Sequence, residues 1–506
     1  MSEPQSPAAT PSSIDPHDLA TTLRVLGMLS ELDESDPDFT TVRNAAGGMI
    51  KSVKQARRRE RRAAIFTADS AVVAATATGA PDRIDDETRG LTLAARTAAP
   101  VAGTFAKPRP CYICKQKYST VDAFYHQLCP ECADTNHGKR HTRADLRGRR
   151  ALLTGGRAKI GMHIALRLLR DGADLTITTR FPRDAVRRFA AMEDAGEWLH
   201  RLTVVGIDLR DPSQVVALAD SVAAAGPLDI LINNAAQTVR RSPGAYAPLV
   251  AAESAPVAED LWPDGRGPTL LTLGRTSDEH PLGIESSVAA HPLLASVELG
   301  ESPAAAAQRL TADALAPGSS SLARLADGSA IDAGGLVPDH HDTNSWIQGV
   351  GDVDPRELLE VQLCNSTAPF ILINRLRPHL AAAAAAEPDR RAYVVNVSAM
   401  EGVFSRGYKG PGHPHTNMAK AALNMLTRTS AREMFETDRI LMTSIDTGWI
   451  TDERPHPTKV RLAEEGFHAP LDLVDGAARV YDPVVRGEQG EDLFGVFLKD
   501  YAPSGW

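Results

Sequence analysis

Apolar and polar residues recur along this chain with two different periods, and the change of period marks its elements. In DPHDLATTLRVLGMLSEL, residues 15–32, apolar positions return every three to four residues, which predicts a helix capped by Asp15 with Pro16 in its first turn. A second helical pattern runs from about Asp38 to Phe66. Residues from about 70 to 105 are rich in Ala, Thr and Gly and read as a linker or weak helix. Beyond Arg150 the pattern changes: RALL is a buried-strand run, a glycine-bearing turn follows, MHIALRLLRDG is an amphipathic helix, and DLTITTR is a second strand. LTVVGIDL, DILINNAA, AYVVNVSA, RILMTSID and LFGVFL continue the series with helices between them. Strands alternating with helices predict an α/β fold with a doubly wound parallel sheet. One stretch breaks the rhythm. Residues of about 242–354, rich in Ala, Pro, Ser and Gly, show no clear period and are too long for a plain loop, so they read as an insertion over one end of the sheet.

Composition narrows the function. The chain has 506 residues, 43% hydrophobic and 5% aromatic, with a net charge of −9, which argues against general affinity for nucleic acid. The basic run Lys51, Lys54, Arg57, Arg58, Arg59, Arg61 and Arg62 reads as a solvated helix face. The N-terminus lacks the basic-then-apolar pattern of a leader, and no apolar run reaches the ~18 residues of a membrane span, so the expectation is a cytoplasmic protein off the membrane.

Four of the five cysteines form two Cys-x-x-Cys pairs, Cys111/Cys114 and Cys129/Cys132. Each short knuckle can aim two thiolates at one point, so the spacing predicts a structural zinc site with no open position. With no large core of its own, the module would be held folded by the metal, and it could serve to dock a protein partner. The DHHD run, Asp339 to Asp342, lacks element-fixed geometry and reads as a solvated loop.

TGGRAKIG, Thr154 to Gly161, falls where a strand ends and a helix begins, the place where backbone amides can cradle a dinucleotide pyrophosphate. With it come Asp208 in GIDL, NNAA at Asn233–Ala236, Asn365 in EVQLCNSTAPF, Ser398 in VVNVS, and Lys420. In this order and spacing, residues of about 147–506, minus the insertion, resemble the short-chain dehydrogenase/reductase family.

That resemblance implies a Rossmann sheet binding a nicotinamide dinucleotide. Thr154, Gly155, Gly156, Ile160 and Gly161 would line the phosphates, Asp208 and Leu209 the adenine, and Asn233, Asn234 and Ala235 the central strand. Lys420 would reach the nicotinamide ribose, and Thr447, Gly448 and Thr451 the carboxamide side. Lys159 stands where the family's middle glycine is expected. The second strand ends on Arg180 where an acidic residue would accept the ribose hydroxyls of NAD; with Arg157, it favours NADP(H) over NAD(H).

The catalytic set departs from the family pattern. Asn365, Ser398 and Lys420 match by position, but Thr416 replaces the tyrosine four residues before the lysine, and an aliphatic hydroxyl is a far weaker acid than a phenol. His413 is the favoured substitute, with Tyr408 and His415 as alternatives. The expectation is therefore an NADP(H)-dependent oxidoreductase acting on a carbonyl or alcohol, with a catalytically inactive NADP(H)-binding sensor or scaffold as the competing reading. Family members form dimers or tetramers, and a homo-oligomer is expected. The predicted organisation is a helical N-terminal region to 104, a four-cysteine zinc module at 105–145, and the Rossmann domain at 146–506 with the 242–354 insertion.

Overall fold

The computed structural model describes residues 13–506 apart from 82, 84–92, 94, 96, 259–260, 263–264, 274–323, 325–329, 340 and 452. Two compact units divide at residues 69 and 70. The first holds helix α1 (Pro16–Met28) and most of α2 (Pro37–Ala74). As the sequence predicts, Asp15 caps α1, its carboxylate accepting from the amides of His17 and Asp18. The basic run lies exposed along α2, as expected of a solvated face.

The second unit opens with a two-stranded antiparallel ribbon, β1 (Val101–Pro110) and β2 (Lys117–Asp122), followed by α3 (Pro130–His141). The predicted linker is corrected in part. The chain just after α2 is tied down: the amides of Ala77 and Thr78 donate to the carbonyls of Ala123 and Phe124. The buried guanidinium of Arg83 donates to the carbonyls of Ala469 and Leu471. Residues 84–92 lie outside the described residues.

Then come β3 (Arg150–Leu153), α4 (Lys159–Arg170), β4 (Asp174–Thr179), α5 (Pro182–Ala190), α6 (Ala195–Trp198), β5 (Leu202–Gly206), α7 (Pro212–Ala224) and β6 (Ile230–Asn233). The insertion contributes α8 (Ala247–Ser254) and β7 (Thr269–Thr272). The remaining elements are α9 (Pro355–Gln362), α10 (Ala368–Ala385), β8 (Ala392–Ser398), α11 (Pro414–Asp438), β9 (Ile440–Asp446), α12 (His456–Glu464), α13 (Leu473–Glu488), β10 (Phe497–Lys499) and β11 (Ala502–Ser504).

Among the described residues the main sheet has nine strands in the order β11-β10-β9-β8-β6-β3-β4-β5-β7, parallel except for β11. Helices cover both faces, which is why β3, β6, β8 and β9 are buried nearly throughout rather than alternating. Leu166, Leu169, Phe189, Trp198, Tyr481 and Val484 pack on one face, and Leu218, Leu372, Leu376 and Met434 on the other. The chain leaves β3 toward β4 on one side and returns to β6 on the other, so a switch point opens at the carboxyl ends of β3 and β6.

Part of the insertion is ordered against the sheet. β7 extends the sheet, pairing in parallel with β5. Glu253 at the end of α8 accepts from the amides of Arg183 and Asp184, capping α5. TLLT is too short to reveal a strand by period. The segment ESPAAAA and its surroundings at 274–323 lie outside the described residues. Of the DHHD run, His340 does too; Asp339 accepts from the Ser242 amide, consistent with a loop role.

Candidate active site

At the switch point, Thr154 Oγ1 accepts from the amides of both Asn234 and Ala235, while the Asn234 side chain donates to the carbonyls of Thr154 and Gly155. These bonds latch the glycine turn to the end of β6. The turn is too close-packed for side chains. A Cβ on Gly161 would stand 1.9 Å from the Gly155 carbonyl oxygen, and one on Gly155, at φ +69°, would stand 2.9 Å from Ala235 Cα. Gly161→Ala should therefore destabilise the domain by about 1–3 kcal/mol and abolish dinucleotide binding, read by thermal melting and coenzyme titration.

Lys159 opens α4 at φ +53°, the left-handed conformation that a glycine adopts freely. Its ammonium lies 3.9 Å from Asp332 of the insertion.

A cleft of about 390 Å³ sits over this turn. Its walls bring together Gly155, Arg157, Lys159, Ile160, Gly161, Arg180, Asp208, Leu209, Asn234, Ala235 and Thr451, all expected cofactor contacts. The same walls include Tyr246, Gly334 and Leu336 from the insertion and Cys364 from the turn between α9 and α10, none of which the sequence reading assigned to the site. Burial pushes the Cys364 thiol up to about 11, so it is a neutral wall residue.

The charges at the far corner are arranged differently from expectation. Arg157 does not add free positive charge there: its guanidinium pairs with the buried Asp184 at 2.5 Å, and Arg188 joins the same carboxylate at 2.6 Å. Asp208 pairs with Arg210 at 2.6 Å. Arg180 is different: it stands beside the rings of Phe181 and Tyr246, 5.7 and 5.3 Å from their centroids. Among the described residues no carboxylate forms a salt bridge with it.

The proton-transfer side lies outside the walls of this cleft. Ser398 ends β8, and its Oγ is buried without a hydrogen-bond partner. Thr416 Oγ1 is likewise buried and unpartnered. Lys420 shares the α11 face of Thr416, one helical turn on. Its ammonium donates to the Val397 carbonyl at 2.8 Å, and burial pushes it down to about 8.

Asn365 sits in a π-turn, Leu363–Thr367, where its amide exchanges hydrogen bonds with both backbone groups of Gln237. That binds its side chain to the loop after β6.

Two expected proton donors are corrected. His413 does precede α11, but at φ +42° its ring stacks on Trp346 at 4.0 Å and its Nδ1 lies 2.8 Å from the Trp346 carbonyl oxygen. The imidazole is committed to the insertion. Tyr408 is 76% exposed. His415 is buried with both ring nitrogens unpartnered, and burial lowers its pKa.

Behind Thr447 and Gly448, the first Cys-x-x-Cys knuckle reaches the site. Tyr112, inside CYIC, accepts the amide N–H of Trp449 at 2.9 Å. Gly448 sits at φ +77°, a conformation that strains any side chain, and a Cβ there would press on the tip of Leu471 at 2.7 Å. The four cysteine sulfurs lie within 4.8 Å of one another, Cys114 and Cys129 at 3.6 Å. Thiolates bound to one tetrahedral zinc at ~2.3 Å stand about 3.8 Å apart, so the set fits that ion.

Residues 149–248 match the family model described as short chain dehydrogenase. A protein of Acanthamoeba polyphaga mimivirus, "Uncharacterized protein R665", is 28% identical over 389 residues, 74% of this chain and 71% of that one. A Streptomyces antibioticus "Probable oxidoreductase" is 43% identical over 94 residues, 18% of this chain and 30% of its own length. Among solved structures, a Burkholderia cenocepacia short chain dehydrogenase in complex with NADP is 19% identical over 70% of this chain and 97% of that one, with a TM-score of 0.40. The carbonyl reductase Sniffer of D. melanogaster is 17% identical over 71% of this chain and 100% of that one, with a TM-score of 0.41.

Proposed function

We propose that this chain, whose residues 149–248 match the family model described as short chain dehydrogenase, is an NADP(H)-linked oxidoreductase acting on a carbonyl or alcohol. The observation that carries this reading is Arg180, a cation without a carboxylate salt bridge in the wall of the cleft that the glycine turn floors. The turn fits a dinucleotide: side chains are excluded at Gly155 and Gly161, and the N-terminus of α4 offers amides to a pyrophosphate. Arg180 would meet the 2′-phosphate, Asp208 and Leu209 the adenine, Lys420 the nicotinamide ribose, and Thr451 the carboxamide. The dinucleotide, when bound, supplies or takes up the hydride. Ser398, with its unpartnered Oγ, holds the substrate oxygen.

The four thiolates would hold a structural zinc, one per chain, and reduced thiols suit a cytoplasmic setting. The second reading, a cofactor-binding sensor without turnover, draws on Thr416, which cannot act as the family's phenol does.

Fluorescence titration of the zinc-loaded protein tests the coenzyme assignment. NADPH should bind at least about tenfold more tightly than NADH, a difference of ~1.4 kcal/mol, and Arg180→Ala should erase that preference. Equal affinity for the two coenzymes in the unaltered protein overturns the assignment.

A further inference from the structure

A substrate oxygen held by Ser398 needs a proton source, and Thr416, His413 and Tyr408 do not provide one. A carboxyl group stands in the right place. β8 and β9 are parallel neighbours, with Ser398 in register with Asp446. Register partners on adjacent strands project to the same face, with the strands about 4.8 Å apart. Each is the last residue of its strand, at the carboxyl edge of the sheet where ligands bind in this architecture.

Both side chains are buried, the residues 3% and 5% exposed, and each keeps an oxygen without a hydrogen-bond partner, Ser398 Oγ and Asp446 Oδ2. A buried polar atom left unpaired costs about 1–3 kcal/mol, so two of them side by side mark a place where a polar ligand belongs. His415 also has unpartnered nitrogens, but it projects ~100° around α11 from the face of Thr416, toward the charge of Glu357.

We propose that Asp446 is the proton donor and acceptor of this site, exchanging its proton with the substrate oxygen that Ser398 holds. The proposal rests on the reading of the cleft as a nicotinamide site. In the reducing direction the carbonyl carbon gains a hydride from the reduced dinucleotide, and the C=O π pair moves onto oxygen. The Asp446 O–H bond breaks, its proton goes to that oxygen, and a carboxylate is left. Oxidation of an alcohol runs the same exchange backwards, with the Asp446 carboxylate taking the hydroxyl proton.

The surroundings keep this carboxyl able to hold a proton. Burial raises its pKa; Lys499 of β10, 3.9 Å from Oδ2, opposes that, Asp500 and Glu401 add to it, and Arg479 of α13 opposes it. The Tyr112 hydroxyl of the CYIC knuckle also feels the charge of this carboxyl. The balance leaves Asp446 pushed up to about 6, inside the range a general acid and base needs.

Infrared difference spectra of the zinc-loaded protein against Asp446→Asn, taken across pH, read the carboxyl without any turnover. A protonated-carboxyl band that disappears with a midpoint near 6 is expected. A midpoint near the ordinary ~4 overturns the proposal, because the group would then be ionised throughout the working range. With NADPH and a panel of aromatic aldehydes and α-diketones, reduction should fall as pH rises through the same midpoint, and oxidation of the product alcohols should rise.

Asp446→Asn should lose about 100-fold or more in both directions while binding NADPH within about twofold, and His415→Gln should keep the pH profile. Full activity in Asp446→Asn, or loss of the profile in His415→Gln alone, overturns the role of Asp446. Failure of the unaltered protein to bind NADPH would instead defeat the cofactor reading, which keeps the two failures apart.

Discussion

Loading the four thiolates with zinc should raise the melting temperature of the whole unit from residue 70 onward and strengthen NADPH binding with it, and Cys114→Ser should undo both. The sequence alone suggests a module held up only by its metal. The structure gives it a core shared with the larger domain: Phe105, Val121, Phe124, Tyr125 and Leu128 pack with Ile450, Leu471 and Leu473. Arg83 and Tyr112 hold the backbone of residues 449–471 from the module's side. Apparent zinc-binding energies in small Cys-rich modules reach about 10–16 kcal/mol. Here part of that energy would be transmitted to the loop that carries Thr451. Calorimetric melting and coenzyme titration of the zinc-free and zinc-loaded forms check this. A zinc-free protein with unchanged melting temperature and NADPH affinity would show the module to be an appendage.

Arg140→Ala should cost about 3–5 kcal/mol, the usual cost of leaving a buried charge unpaired. The Arg140 guanidinium, buried beneath the knuckles, donates to both oxygens of Asp472 at 2.6 and 3.0 Å, and Asp475 lies 3.0 Å away. Asp472 and Asp475 form the capping box of α13, and the Tyr125 hydroxyl donates to Asp475 at 2.6 Å. Without Arg140, two carboxylates at one helix end would face a dry interface.

Burial raises the pKa of Asp472, but the charge and hydrogen bonds of Arg140 outweigh it and hold the carboxyl at about 2. Its contribution to stability is therefore complete above the unfolded value of ~4 and is lost as pH falls through about 2. Denaturant unfolding of Arg140→Ala checks the cost, and Asp472→Asn on the same background should recover part of it. A change below about 0.5 kcal/mol, the size of a surface substitution, would show the cluster to be solvated.

The elements that the sequence made legible are those fixed by local rules. RALL, LTVVG and ILIN are continuous apolar runs, and they form buried parallel strands as expected. TGGRAKIG lies at the strand-to-helix junction where its glycines place it. The two Cys-x-x-Cys knuckles converge because their spacing already aims the thiolates. What escaped notice depends on residues far apart in sequence. The partner of Arg157 is Asp184, and the ring that stacks on His413 belongs to Trp346, in a segment with no period. Asp446 reads as the end of an ordinary strand, and only the pairing of β9 with β8 sets it beside Ser398. A polar residue closing a buried strand next to the VNVS strand was the available signal.

The most direct test of an NADP(H)-linked oxidoreductase follows a label. Zinc-loaded protein is incubated with NADPH deuterated at C4 and a panel of aldehydes, ketones and α-diketones, and the products are read by mass spectrometry. Deuterium on the carbinol carbon of at least one product is the predicted result. Tight NADPH binding with no label in any product contradicts it and leaves a protein that holds the coenzyme without using it.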